Sequence, residues 1–129
     1  MADGAPRVLL AEDDRFLRRA AAARLRQQGF TVLVAVDGEE ALRVARAERP
    51  DVVLLDLIMP KLQGFEVLKA LKQDAATSPI PVIVLSNLGQ ERDVRQAMEL
   101  GAVAYFIKAH LSLQELVQKV GEVLVAGGT

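Results

Sequence analysis

The sequence predicts an α/β fold in which a parallel sheet carries helices on both faces. Short apolar segments and amphipathic segments alternate five times along the chain, the pattern of parallel strands joined by crossover helices. The third apolar segment, residues 52–55, is valine- and leucine-rich without alternation, as in a strand buried on both faces. A chain of 129 residues can bury one substantial core.

The composition argues against several classes of protein and of partner. With 17 acidic and 16 basic residues the net charge is −1, which gives no electrostatic reason to expect a nucleic-acid or membrane partner. Without cysteine there is no disulfide, thiol nucleophile or thiolate metal site. No apolar run could cross a bilayer, and residues 1–6 lack a signal-peptide core. We therefore expect one cytoplasmic domain over residues 1–129, with its core at about residues 6–125.

The first strand is predicted at Arg7–Ala11, and an acidic run follows it directly. Asp14 closes that run and is expected to cap a helix that ends near Gly29. The inward stripe of this helix consists of Leu17, Ala21 and Leu25.

The second strand is predicted at Thr31–Val36, which is β-branched and apolar. Asp37 and Glu40 have the spacing of a capping box and open the second helix, which Pro50 closes. Its inward residues are Ala41, Leu42 and Ala45.

The third strand is predicted to end at Asp56, where a rigid strand would hold a carboxylate at the edge of the sheet. Pro60 prevents the strand from continuing, and Gly64 permits a tight turn. The helix that follows carries Phe65, Leu68 and Leu71.

The fourth strand is predicted at Pro81–Leu85, with Ser86 and Asn87 directly after it. The next helix covers Gln90–Leu100 and stops at Gly101. Its inward residues are expected to be Val94, Ala97 and Met98, and Met59 and Met98 are expected to fill gaps in the core.

The fifth strand is predicted at Ala102–Ile107 and ends at Lys108. Ser112 and Glu115 repeat the capping box and open the last helix. Its apolar stripe consists of Leu113, Leu116, Val117, Val120 and Leu124.

Chemically capable side chains follow four of the five strands. They are Glu12 and Asp13 after the first strand, Asp56 after the third, Ser86 after the fourth and Lys108 after the fifth. In a parallel sheet the carboxyl ends of the strands form one edge, where ligands bind. The sequence therefore predicts that these groups meet.

Three carboxylates in one place point to a bound cation, because otherwise one of them would have to protonate. Oxygen ligands without histidine or cysteine favour a hard ion such as Mg²⁺. Lys108 and Ser86 add a positive charge and a hydroxyl donor, which suit the oxygens of a phosphoryl group. Asp56 would then be the nucleophile and would form an acyl phosphate.

Four segments in this order and spacing resemble the receiver domain of two-component response regulators, of the chemotaxis-receiver kind. They are residues 9–14, residues 56–60 with Gly64, residues 85–87 and residues 105–108. The resemblance covers essentially the whole chain. It implies a flavodoxin-like (βα)5 fold, a doubly wound parallel sheet with strand order 2-1-3-4-5 in a three-layer αβα arrangement.

The resemblance also implies the phosphoacceptor and a metal site for Mg²⁺, or Mn²⁺ in its place. Asp56 matches the phosphoacceptor, which also binds the metal. Asp13 matches the direct metal ligand, and Glu12 matches the acid that reaches the metal through water. Ile58 matches the position whose backbone carbonyl binds the metal.

Three further roles are implied at the ends of the fourth and fifth strands. Ser86 matches the hydroxyl that moves to the phosphoryl group, and Lys108 matches the lysine that pairs with it. Tyr105 matches the aromatic switch that turns inward when the hydroxyl moves, although ordinary packing is the alternative for this residue. The implied function is that of a phosphoacceptor which changes shape, and not of a turnover enzyme.

The implied phosphoryl donor is a histidine on a sensor kinase or on a phosphotransfer domain. A downstream protein would bind the face made by the fourth helix, the fifth strand and the fifth helix. Candidate contacts there are Arg92, Arg95, Gln96, His110, Gln114 and Gln118. A separate group, Arg18, Arg19, Arg24 and Arg26, is expected to be a solvated helix face.

The chain departs from the family pattern at two places. Ala109 stands where the family usually has a proline after the lysine, and we expect a trans peptide bond there because a cis bond costs about 2.5–4 kcal/mol. Ile58 and Leu88 lie two residues beyond the phosphoacceptor and the hydroxyl, and neither can orient an attacking water. The sequence therefore predicts slow self-dephosphorylation.

Three other functions stay open on the sequence. A degenerate receiver could act as a docking module without phosphorylation, although its acids, Ser86 and Lys108 are all in place. An aspartate-nucleophile phosphatase normally needs a second acid where this chain has Ile58. A flavin-binding module needs a phosphate-cradling loop, where this chain has carboxylates.

Overall fold

The computed structural model describes residues 4–127, and the side chains as far as residue 126. The strands of this part are β1 (Arg7–Ala11), β2 (Thr31–Ala35), β3 (Val52–Leu55), β4 (Val82–Ser86) and β5 (Ala104–Ile107). The α-helices are α1 (Arg15–Gln27), α2 (Gly38–Glu48), α3 (Gly64–Gln73), α4 (Glu91–Glu99) and α5 (Leu113–Gly127). A short 3₁₀ helix, Lys108–His110, joins β5 to the segment before α5.

All strand pairs are parallel, and their order is β2-β1-β3-β4-β5. The predicted flavodoxin-like topology is therefore confirmed. Because β1 and β3 lie inside the sheet and all their residues except Arg7 are buried, the loops after these two strands start from a closely packed backbone.

The sheet divides the core into two apolar layers. One face packs against α2, α3 and α4, with Leu42, Leu68 and Ala97 among its buried residues. The other face packs against α1 and α5, where Leu25 and Leu116 are buried. Successive strand residues contribute to opposite layers because side chains alternate along a strand.

Polar caps fix where the helices begin and end. Asp14 Oδ1 accepts a hydrogen bond from Leu17 N at 3.0 Å, which caps α1 as predicted. Gly29 takes the left-handed conformation with φ +93° and ends the same helix. The capping box before α5 forms in both directions between Ser112 and Glu115.

Several predicted details differ in the structure, and β4 covers Val82–Ser86 instead of Pro81–Leu85. β2 ends at Ala35, because Val36 N donates to Glu40 Oε1 at 2.8 Å and so belongs to the cap of α2. β5 begins at Ala104, because Ala102 N donates to the Ala97 carbonyl at the end of α4. The prediction that Met98 faces the core is wrong, since its side chain is 44% exposed.

The loop between β3 and α3 is held by a close backbone approach at Gly64. Gly64 N donates to the Leu57 carbonyl at 2.9 Å, and a Cβ atom at this position would lie 2.3 Å from Leu57 Cα. Only glycine fits there without a shift of the backbone. This contact fixes the turn directly after Asp56.

No helix in the described part of the chain has the length and apolar character needed to span a membrane.

Candidate functional site

The carboxyl ends of β1, β3 and β5 meet at one ammonium group. Lys108 Nζ lies 2.7 Å from Glu12 Oε1 and 2.8 Å from Asp56 Oδ2. These residues are far apart in the sequence and are brought together because their strands run parallel and end at the same edge. The predicted convergence of Glu12, Asp56 and Lys108 is found in the structure.

The three acidic residues predicted at the metal site form a cluster of carboxylates. One oxygen each of Glu12, Asp13 and Asp56 lies within 4.8 Å of the others. Glu12 is 1% exposed and Asp56 is 4% exposed, whereas Asp13 is open to solvent. Charges of one sign at this separation repel one another, and Lys108 offsets only part of that repulsion.

Burial and ion pairing set the charge states of Glu12 and Lys108. Burial raises the pKa of Glu12 above its usual value, and hydrogen bonds from Lys108 and from Asp14 N oppose this rise. Burial alone would lower the pKa of Lys108, but its bonds to Asp56 and Glu12 outweigh burial and raise it. Lys108 is therefore a permanent cation at neutral pH.

Both oxygens of Asp56 have a donor. Oδ1 accepts a hydrogen bond from Ile58 N at 3.1 Å, and Oδ2 accepts from Lys108 Nζ. Glu12 is likewise held on both sides, by Lys108 at Oε1 and by Asp14 N at Oε2, 3.0 Å away. The two buried carboxylates are thus oriented by fixed donors.

The cluster opens into a cleft of about 360 Å³. Its lining consists of Glu12, Asp13, Asp14, Asp56, Ile58, Asn87 and Lys108. The Ile58 side chain is 59% exposed at the rim of this cleft. A ligand that approaches Asp56 therefore meets an acidic floor and one apolar wall.

Ser86 lies next to this cleft and does not line it. The residue is fully buried at the end of β4, and its Oγ accepts a hydrogen bond from Leu88 N at 3.3 Å. Tyr105 is half-buried and donates its hydroxyl to the Leu88 carbonyl. The two predicted switch residues therefore meet at one backbone segment, residues 86–88.

The pKa of Tyr105 is raised, first by burial and then by the negative charges of Asp93 and Asp56. A hydrogen bond with Ser86 opposes this rise. Because the negative charge of Asp56 contributes to the raised pKa of Tyr105, a change of charge at Asp56 would change the pKa of the Tyr105 hydroxyl.

Arg18 contributes to the site in a way that the sequence did not predict. Its Nη1 donates to the Glu12 and Asp13 carbonyls at 3.0 and 3.1 Å. The prediction that Arg18 belongs to a solvated face is therefore wrong, because this side chain is half-buried and braces the acidic loop. Its position four residues after the cap Asp14 was the available signal, since a side chain there points back toward the start of the helix.

The peptide bond between Lys108 and Ala109 is trans, since no cis peptide bond occurs in the described part of the chain. Lys108 reaches both carboxylates with this geometry.

Comparison with known proteins gives the family. The family model of the response regulator receiver domain matches residues 8–121, which include all the groups described above. The chain belongs to the response regulator receiver domain family. It is a receiver domain of two-component signalling.

The relatives of this receiver domain are response regulators. A probable transcriptional regulator, ycf27, from Guillardia theta is 40% identical over 118 residues, which are 92% of this chain and 45% of that protein. The receiver domain of the Francisella response regulator 1452 is 30% identical, with a TM-score of 0.87 over 94% of this chain and 98% of that one. The chain spans about half the length of most of the curated relatives it matches.

The expectation that this protein has no direct nucleic-acid partner is corrected by these relatives. One of them, 35% identical over 92% of this chain and 49% of its own length, is the DNA-binding dual master transcriptional regulator RpaA of Synechocystis. The physical reason for the error is that a net charge of −1 describes these 129 residues alone. The charge of a receiver says nothing about a region outside it that could contact DNA.

One similar structure bears on the metal. The response regulator Rcp1 was solved in a Mn²⁺-bound form, and it is 30% identical with a TM-score of 0.79 over 92% of this chain and 91% of that one. The cluster of Glu12, Asp13 and Asp56 in this receiver could bind a metal ion.

Proposed function

We propose that this receiver domain accepts a phosphoryl group on Asp56 and changes shape in response. The observation that carries the proposal is the position of the Asp56 carboxylate, which lies at the floor of an open cleft between the Lys108 ammonium and two further acids. A carboxylate held by fixed donors beside a permanent cation is a suitable nucleophile for an anionic phosphoryl group.

The phosphoryl donor in this proposal is a phosphohistidine of a sensor kinase or phosphotransfer domain. An oxygen of Asp56 forms the new O–P bond, and the P–N bond of the phosphohistidine breaks. The electron pair of that bond stays with the imidazole ring, which takes a proton from solvent. The products are an aspartyl phosphate and a neutral histidine, so the chain acts as an acceptor and not as a turnover enzyme.

The chemistry of the acidic cluster fits a hard divalent cation, Mg²⁺ or Mn²⁺, because every side-chain donor in it is a carboxylate oxygen. Asp13, Asp56 and the Ile58 carbonyl would hold the ion directly. Glu12 would act through water, as its match to the family pattern implies. The ion would offset the negative charge of the carboxylates and of the phosphoryl oxygens.

The response to the phosphoryl group would begin at residues 86–88. The Ser86 hydroxyl would turn to a phosphoryl oxygen, and Leu88 N would lose the acceptor that it now has. Tyr105 would then change its bond to the Leu88 carbonyl, which passes the change to the face made by α4, β5 and α5. The six candidate contacts on that face are all exposed.

The output would be regulation of transcription. The relatives named as transcriptional regulators are about twice as long as this chain, so we infer that a DNA-binding region acts together with this receiver.

Incubation with acetyl phosphate and Mg²⁺, followed by intact-mass measurement, tests the proposal. We expect the wild-type chain to gain one phosphoryl group, and Asp56→Asn to gain none. Chelation of the metal should abolish the gain. No gain in the wild type would instead favour a docking module without phosphorylation, and an equal gain in Asp56→Asn would place the acceptor elsewhere.

A further inference from the structure

A second, apolar pocket adjoins the acidic cleft. It has a volume of about 190 Å³ and lies between the loop after β3 and the loop after β4. Its lining consists of Leu57, Ile58, Met59, Gln63, Phe65 and Leu88. Ile58 lines both spaces, so a molecule that reaches Asp56 past Ile58 also covers the rim of this pocket.

The charges of the cleft offer little electrostatic attraction to a phosphodonor protein. Its lining carries the carboxylates of Glu12, Asp13, Asp14 and Asp56 against the single ammonium of Lys108. Even with a divalent cation bound, the lining keeps a net negative charge, and a phosphohistidine is itself an anion. Apolar contacts beside the cleft would add docking free energy that does not depend on charge.

We propose that this pocket binds an apolar side chain of the phosphodonor protein, one that lies next to its phosphohistidine. The proposal rests on the function proposed above and names a contact that would select the donor. Ile58 is a 59% exposed apolar residue at the shared rim, and its burial on docking would supply binding free energy without any charge. The half-buried Phe65 and Leu88 provide the walls that such a side chain would contact.

The same pocket is connected to the switch through Leu88. The backbone of Leu88 donates to Ser86 Oγ and accepts from the Tyr105 hydroxyl, while its side chain lines the pocket. A movement of Ser86 toward a phosphoryl group would therefore displace one wall. The donor would lose its apolar contact once transfer is complete, which favours its release.

Gln63 offers a direct test of this pocket. It is exposed at the rim, and it precedes α3 without making a side-chain cap, so its replacement removes no helix-capping bond. Gln63→Trp should fill the pocket, whereas Gln63→Ala should leave it open. Lys69→Trp, on the exposed side of the same helix, controls for the bulk of tryptophan.

Transfer is measured from a ³²P-labelled histidine kinase, chosen from a panel of purified kinases because it labels the wild-type chain. We expect Gln63→Trp to lower kcat/KM for transfer by about tenfold or more, the effect of losing one well-packed apolar contact. Gln63→Ala and Lys69→Trp should transfer at the wild-type rate. All three variants should react with acetyl phosphate as the wild type does, because that donor is too small to use the pocket.

A second variant changes a residue that forms a wall of the pocket. Phe65→Ala should enlarge it and lower kcat/KM from the kinase, again with no change for acetyl phosphate; circular dichroism confirms that the variant is folded. Unchanged kinase transfer in Gln63→Trp would overturn the proposal, as would an equal loss with acetyl phosphate. The absence of any labelling kinase while acetyl phosphate still labels Asp56 would also overturn it. Failure of acetyl phosphate with the wild type would instead count against the function proposed above.

Discussion

At the scale of single residues, Lys108 is the group on which the site depends. Its ammonium is the partner of two buried carboxylates, so its removal would leave both without their ion pair. We expect Lys108→Met to lower the free energy of unfolding by about 3 kcal/mol, as loss of one member of a buried ion pair does. Urea denaturation measures this change.

The exposed Lys69, which makes no ion pair in the described part of the chain, is the matched control for Lys108. Lys69→Met should change the stability by less than about 0.5 kcal/mol. The additional substitution Glu12→Gln should recover part of the loss in Lys108→Met, because it removes one unpaired carboxylate. A loss of equal size in both lysine variants would contradict the role given to the ion pairs.

Ile58 and Leu88 are the residues that set the lifetime of the phosphoryl group in this account. Neither side chain can hold or orient a water molecule, and Ile58 forms the apolar wall of the cleft. Ile58→Asn should shorten the half-life of the aspartyl phosphate by about tenfold, less than the roughly 10²–10⁴-fold effect of a group that transfers the proton itself, because an amide only orients the water. Loss of label from purified phosphoprotein in Mg²⁺ measures it, and a wild-type half-life of seconds would refute the prediction.

At the scale of the elements, Asp37 makes the start of α2 sensitive to acid. A hydrogen bond from Glu40 N, with a smaller contribution from Lys61, holds the pKa of Asp37 below its usual value. The ordinary pKa of an aspartate is 3.8, and above this pH the ionised Asp37 contributes its full stabilisation of the fold. This stabilisation is lost as the pH falls through the lowered pKa of the folded state. Asp37→Asn should lower the urea midpoint at pH 6 and have a smaller effect at pH 3. If the difference in urea midpoint between the wild type and Asp37→Asn grew on acidification, the prediction would be wrong.

The loop after β3 depends on Gly64. In Gly64→Ala the new Cβ would clash with the backbone of Leu57, and the resulting shift should cost about 1–3 kcal/mol or more and displace Ile58 from Asp56. Gly64→Ala should also lower the rate of phosphorylation by acetyl phosphate, because the loop that holds Asp56 is displaced. Gly121→Ala is the control, because nothing lies within 4 Å of its Cβ, and it should stabilise α5 by about 0.5–1 kcal/mol.

The sequence was sufficient for the order of the elements and for the residues that end the strands. Asp56 and Lys108 each follow an apolar strand. Parallel strands place such residues at one edge of the sheet, and this does not depend on the conformation of the loops. Element boundaries were less predictable where a cap competes with a strand, as at Val36. Met98 was assigned to the wrong face because α4 has nine residues and buries only Ala97 fully, so its apolar stripe is too narrow to identify from spacing alone.

The finer contacts of the site could not be predicted from spacing. The bond between Lys108 and Glu12 depends on how far one flexible side chain reaches across two strands. The contacts of Arg18 with two carbonyls depend on its rotamer. The apolar pocket beside the cleft arises from two loops whose relative position is set by tertiary packing.

At the scale of the whole molecule, the centre of the sheet holds the acidic cluster, and the proposed response lies on the β5 side. β1 and β3 hold the acidic cluster at one edge, and the apolar layers on both faces make this edge rigid. The segments proposed to respond to charge, residues 86–88 and β5, lie toward the β5 edge of the sheet, and β5 itself is only partly buried. A charge added at Asp56 would therefore change the α4, β5 and α5 side while the centre keeps its packing.

A crystal structure grown with Mn²⁺ and beryllofluoride, which mimics a phosphoryl group, tests the central claim most directly. We predict beryllofluoride bonded to an Asp56 oxygen, Mn²⁺ bound by Asp13 and Asp56, and the Lys108 ammonium moved to a fluorine atom. An unmodified Asp56 at saturating beryllofluoride, or a cation bound away from these acids, would contradict the account.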